Sequence, residues 1–198
     1  TDCQILIVAK RPNSVAPFAF AESSRVEVVY REKYAEQELK DLVLSFAPEA
    51  IFSGGWSYAP YRRICSNYKN RIPVLLAFDN WWTGSMKQRI MSVLSKFTIN
   101  RWYDRCFVAG QPQRLFAQHL GFKDDFIRTG IYCADTGLFT QVYVANINSR
   151  KLVPRRFLFV GRYETVKGIE SLWDAFEHVK KDYPEWELWC AGKGSIAP

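Results

Sequence analysis

Short apolar runs without polar alternation recur along this chain, each followed by a stretch with helical spacing. Gln4–Ala9, Ala50–Ser53, Ile72–Phe78, Arg105–Ala109 and Phe157–Val160 are such runs, and Arg25–Tyr30, Phe126–Ile131 and Trp186–Ala191, with polar residues among the apolar ones, read as further strands. A strand that is apolar on both sides of its pleat belongs inside a parallel sheet. The intervening stretches are amphipathic. In Tyr34–Phe46, Leu39, Leu42, Val43 and Phe46 fall on one face and Glu36, Glu38, Lys40 and Asp41 on the other. Tyr58–Tyr68, Met86–Tyr103, the segment from Pro112 to Gly121, and Gly168–Tyr183 follow the same rule, and Val15–Glu22 is long enough for a short helix. Parallel strands need crossover connections, and helices supply them. The alternation predicts an α/β, Rossmann-like fold with helices on both sheet faces.

Periodicity fails over Thr140–Pro154, where Asn146, Asn148, Ser149, Arg150 and Lys151 collect. This predicts a linker over 140–154, a Rossmann-like amino-terminal domain over 1–139, and the opening of a second such domain over 155–198. The last part is too short to bury a core alone, whereas the whole chain of 198 residues, 48% hydrophobic, can bury a sizeable one. Five cysteines, at 3, 65, 106, 133 and 190, contain no CxxC pair. Cys3, Cys106 and Cys190 lie in or beside strand runs and read as small core residues. Together these predict a reducing, cytoplasmic setting. No run approaches the ~20 apolar residues of a membrane-spanning helix.

The ends of the predicted strands carry the candidate chemistry, because an open parallel sheet binds ligands at its carboxyl edge. After Phe157–Val160 come Gly161 and Arg162, then Lys167 and Gly168 as the helix begins. A strand, a turn and a helix N-terminus with two cations suit an anionic, phosphate-bearing ligand. Gly54-Gly55-Trp56 and Asp79-Asn80-Trp81-Trp82 follow two earlier strands. Indole faces stack on sugars, and Asn and Asp bond hydroxyl groups, so Gly54, Gly55, Trp56, Asn80 and Trp81 form a candidate cleft for a hydroxyl-bearing ligand. The net charge of +7 also suits phosphate, an anionic membrane surface or nucleic acid. No recognisable RNA-binding motif interleaves the aromatics with Lys and Arg, so no nucleic acid is expected. The Gly-x4-Gly-Lys-Ser/Thr pattern of a P-loop is absent. The basic stretch 86–103, with Phe97 and Trp102, suits peripheral contact with an anionic membrane. His119 and His178 stand alone on helices.

Phe159-Val-Gly-Arg162, Lys167-Gly168, the helix with Leu172 and Ala175-Phe176, Pro184, and Leu188-x-x-Ala-Gly-x-Gly194 resemble the retaining glycosyltransferases of family four, of the GT-B fold. Ile127–Asp135 and Phe139 resemble that family's crossover between domains. The resemblance covers about residues 104–194 in order and spacing; before that only the β/α layout agrees. It implies transfer of a sugar from a nucleotide-diphosphate sugar to a glycan or lipid-linked acceptor, the ligand expected at the cleft of Gly54, Gly55, Trp56, Asn80 and Trp81. Gly161, Arg162, Lys167 and Gly168 would hold the donor diphosphate, and Asp79 would be the candidate catalytic residue of the first domain. Fixed cations favour the charge that develops on a departing diphosphate, so no metal or cofactor is called for, and no Asp-x-Asp pair is present. Tyr132-Cys133 stands where the family has Asn-Gly, and Lys10-Arg-Pro-Asn-Ser14 replaces its first glycine-rich loop. The chain reaches Pro198 before the family's two glutamates eight positions apart, which implies a carboxyl-terminally incomplete piece without turnover of its own. A non-catalytic module binding a phosphorylated ligand or partner is the alternative reading.

Overall fold

The computed structural model describes residues 3–13, 19–147 and 155–196. Residues 15–18 of the expected first helix and 148–154 of the expected linker lie outside them, and 19–22 are irregular rather than helical. The chain divides into two compact units, Thr1–Ala134 and Asp135–Pro198. Both are α/β and built from parallel strands, and the first, with its four-stranded parallel sheet, is Rossmann-like.

In the first unit, β1 (Ile5–Ala9) pairs with β2 (Val26–Tyr30), and α1 (Glu36–Phe46) comes next along the chain. A second sheet has the order β3 (Ile51–Gly54), β4 (Val74–Phe78), β5 (Arg105–Val108), β6 (Ile127–Thr129), all parallel. The connections are α2 (Ala59–Tyr68), α3 (Met86–Leu94) with α4 (Ile99–Trp102), and α5 (Gln111–His119). The register sets Ser53 beside Leu76, and Leu76 beside Cys106, on one face of the sheet. That face is the core: Val74, Leu76, Phe78, Cys106, Val108 and Ile127 pack against Cys65, Ile99, Tyr103, Phe116, Ala117 and Leu120. Burial of each large aliphatic side chain here contributes about 1.5–3 kcal/mol. The opposite face differs from the expectation of full cover. Phe52 is 59% exposed, and Leu75, Ala77 and Phe107 are half-buried.

β1 and β3 are not paired; a cleft of about 1170 Å³ lies between them, lined by Ile5, Ile7, Leu39, Val43, Ile51 and Ile64 among others. Helix α2 spans this gap. The Tyr61 hydroxyl donates to the Val8 carbonyl at 3.0 Å, Arg63 forms a two-pronged ion pair with Glu36, and the Arg31 guanidinium lies 4.1 Å from the centre of the Tyr58 ring.

The helix expected over 86–103 is broken. A 3-10 turn at Ser95–Phe97 separates α3 from α4, and Thr98 sits at φ −123°, ψ −89°. The Thr98 hydroxyl donates to the Leu94 carbonyl at 2.9 Å, so the side chain bonds the backbone where a helix would bond itself.

The second unit contains α6 (Thr136–Ile147), β7 (Arg156–Val160), α7 (Ile169–Asp182) and β8 (Glu187–Ala191), with β7 and β8 parallel. Residues 140–147 of the expected linker are helical and belong to α6. Its apolar residues Leu138, Phe139, Val142, Val144 and Ile147 point all round the helix, so no face could emerge in the periodicity. Cys3 is exposed and Cys190 half-buried, and only Cys106 of the three expected core thiols is fully buried. Cys65 is buried too, and burial pushes its thiol up to about 11.

Candidate functional site

Because β3–β6 are parallel, their carboxyl ends meet at one edge, and the residues just past them are brought together there. Past β3, Gly55 at φ 84° donates its N–H to the Ala77 carbonyl at 2.8 Å. Past β6, Gly130 at φ 97° donates to the Val108 carbonyl at 3.0 Å. Both conformations favour glycine. Nothing lies within 4 Å of where a Cβ at Gly54, Gly55 or Gly130 would stand, so the edge is open in front of these turns. Beneath it, the Ser53 and Tyr103 hydroxyls reach the Gly55 carbonyl at 3.0 and 3.3 Å. Burial pushes the Tyr103 phenol up to about 12, which keeps it a neutral donor.

Past β4, the Asp79 carboxylate accepts a hydrogen bond from the Tyr132 hydroxyl at 2.7 Å, and its backbone carbonyl accepts one from the Gln113 side chain at 3.0 Å. The bond to Asp79 holds the Tyr132 phenol above its ordinary value. Asp79, Asn80 and Tyr132 are all exposed at this edge.

The three indoles of the region have different roles. Trp56 is half-buried against the core, edge-on to Phe78 and Phe116 at 5.5 and 6.4 Å between ring centres. Trp82 stacks on His119 at 3.9 Å, which gives that lone histidine a partner. Trp81 is 61% exposed and is the residue of the predicted cleft whose ring remains open for stacking. Its loop is held by Gln88, which accepts from the Thr83 N–H, the Thr83 hydroxyl and the Gly84 N–H at 2.7, 2.9 and 3.1 Å and donates to the Trp81 carbonyl at 2.8 Å. Sequence reasoning missed Tyr132 and Gln88 as site residues. Gln88 had a signal: Ser85-x-x-Gln88 has the spacing of a capping box, and Ser85 caps α3. Tyr132 had none, since its partner lies 53 positions away.

In the second unit, Gly161, Arg162, Lys167 and Gly168 all fall on the connection from β7 to α7. Arg162 and Lys167 are exposed. The Arg162 guanidinium donates to the Glu164 carboxylate at 2.8 Å. Lys167 ends a 3-10 turn over Thr165–Lys167, and Gly168 at φ 68° opens α7. The Gly-x-Gly after β8 has a backbone role. A Cβ at Gly192 would stand 1.8 Å from the Gly161 carbonyl oxygen, and one at Gly194 1.9 Å from that of Tyr163. Tyr163 N–H donates to the Lys193 carbonyl at 3.0 Å, so the two strand-end turns continue the sheet beyond β7 and β8. The arrangement braces the turn that presents Arg162.

A further cavity, about 600 Å³, lies at the amino ends of β4 and β5 and is lined by Lys69, Arg71, Asp104, Arg105 and Lys123. It is at the sheet edge opposite the glycine turns. Among the described residues, no three His, Cys, Asp or Glu side chains gather as a metal site. Also among them, no helix is long and apolar enough to cross a membrane. Comparison with protein-family models and with curated proteins gives no match, so the geometry of the two strand edges carries the functional reading.

Proposed function

We propose that the chain binds a nucleotide-diphosphate sugar and serves the transfer of its sugar to a glycan or lipid-linked acceptor, in the manner of a retaining GT-B glycosyltransferase. The observation that carries this reading is the β7–α7 turn, where Arg162 and Lys167 are exposed between a parallel strand end and a helix N-terminus. The two cations take the diphosphate, and breaking the sugar–phosphate bond adds negative charge to the oxygens they hold, so their attraction is greatest in the transition state. This role calls for no metal or other cofactor. In the first unit, Tyr132 occupies one oxygen of Asp79, leaving the other to orient an acceptor hydroxyl, and Trp81 offers a face to a sugar ring.

The test is calorimetric titration of the chain with UDP-glucose and GDP-mannose, alone and as Arg162→Ala/Lys167→Ala. A charge-assisted hydrogen bond is worth about 1.5–3 kcal/mol, so losing two weakens binding by at least ~100-fold. Equal binding by the double variant defeats the assignment. A second reading, a phosphate-ligand module without turnover, uses the same exposed Arg162 and Lys167, and in either reading the phosphate displaces Glu164 from the guanidinium. Binding of phosphorylated ligands that lack a nucleotide as tightly as the nucleotide-sugar selects that reading.

A further inference from the structure

Helix α3 and the turn after it have their faces reversed. The side toward the sheet carries Gln88, Met91, Ser92 and Ser95. Met91 packs on the core, Ser95 is buried with its hydroxyl on the Ser92 carbonyl at 2.7 Å, and the Ser92 hydroxyl is buried without a partner. The side toward water carries Met86, Ile90, Val93, Leu94 and Phe97, exposed by 71, 55, 73, 49 and 73%. At ~100° per residue, Met86, Ile90, Val93 and Leu94 fall within an arc of roughly 100°, with Lys87 at one margin and Arg89 at the other. Phe97 extends the ridge into the 3-10 turn. A contiguous water-facing ridge of this kind marks a surface that something covers.

Charge selects what covers it. From Asn80 to Tyr103 the chain has Lys87, Arg89, Lys96 and Arg101 and no acidic residue. Two copies joined through this face would bring like charges together, which disfavours self-association. An apolar stripe rimmed by Lys and Arg is the pattern of a helix lying in the headgroup layer of an anionic bilayer. Trp81, whose carbonyl is fastened to Gln88, places an exposed indole beside the start of the helix, as interfacial segments do.

We propose that the outer face of α3 and its 3-10 extension docks on an anionic lipid bilayer, with Met86, Ile90, Val93, Leu94 and Phe97 entering the headgroup–acyl boundary and the basic residues contacting lipid phosphates. The proposal does not rest on glycosyl transfer: Trp81 borders both surfaces, but none of the five side chains that enter the lipid is a strand-end residue. The experiment is co-sedimentation of the chain with phosphatidylcholine vesicles, with and without about 30 mol % phosphatidylglycerol. Binding at least ~10-fold tighter to the anionic vesicles, weakened by salt, is expected. Val93→Asp/Phe97→Asp loses it by ~10-fold or more, with far-ultraviolet circular dichroism unchanged because both side chains already face water. Lys87→Gln/Lys96→Gln/Arg101→Gln tests the charge separately and removes the preference for phosphatidylglycerol. Failure of the parent chain to sediment with either vesicle overturns the proposal, as does undiminished binding by Val93→Asp/Phe97→Asp. So does a dimer in analytical ultracentrifugation that the same double variant dissociates in place of any vesicle binding.

Discussion

The two units obey one construction rule and bury very different amounts of it. In the first, β4 is flanked by β3 and β5, and Val74, Leu76, Val108, Leu120 and Ile127 are removed from water entirely. In the second, two strands and their helices bury only Tyr163 and Ile169 among the described hydrophobic residues, while Leu158 and Val160 on β7 are 65 and 73% exposed. A two-stranded parallel sheet has no central strand, so each strand has an open edge and few neighbours to cover its faces. The same apolar run therefore makes a core in one unit and a largely wet surface in the other. The second unit also has close backbone fit at its strand ends, where Gly192 and Gly194 meet the Gly161–Tyr163 turn.

That contrast can be broken most directly at the strand centres. Leu76→Ala is expected to cost about 2–5 kcal/mol in urea unfolding, while Leu158→Ala stays within about 0.5 kcal/mol, since only the first leaves a cavity. Comparable losses at the two positions would mean that the second unit buries its strand after all. The next effect is at the strand-end glycines. Gly192→Ala drives a methyl into the Gly161 carbonyl and is expected to cost about 1–3 kcal/mol or more, because backbone on both sides must shift. Gly54→Ala, with open space ahead of it, is expected to be nearly silent in the same assay. The smallest effect concerns the α1–α2 brace of the first unit. The hydrogen-bonded Arg63 guanidinium, aided by Lys40, lowers Glu36 from 4.5 to about 2. A lowered carboxylate contributes stability above its unfolded value near 4.5, and that contribution is lost as pH falls toward 2. Arg63→Gln should raise the Glu36 midpoint toward 4.5, read from its side-chain carboxyl resonance; an unmoved midpoint would remove Arg63 as the main cause.

Much of the fold is legible in the residues. The apolar runs locate the strands within a residue or two, because short runs bounded by turn residues read as parallel strands even though one face of them stays partly exposed here. Their parallel order then puts Gly55, Asp79, Gly130 and Arg162 past strand carboxyl ends. The failures also have local causes. Helix α6 reads as linker because its apolar residues go all round and leave no periodicity to detect. The break at Thr98 is hidden because the apolar spacing of 86–103 runs through it, while the competing side-chain bond to Leu94 leaves no mark on that spacing.

Residue order by itself determines the class of fold and the edge at which its ligand-bearing turns assemble, since both depend on properties of neighbouring residues. Which side chains are free at that edge depends on strand register and on helices twenty to fifty positions away. Trp56 and Trp81 look alike as strand-end indoles, yet packing turns Trp56 toward Phe78 and Phe116 and leaves Trp81 in water. Asp79 gains Tyr132, and α3 turns its apolar side outward, for the same reason: packing sums contacts from the whole unit, whereas a sequence window reports only its own.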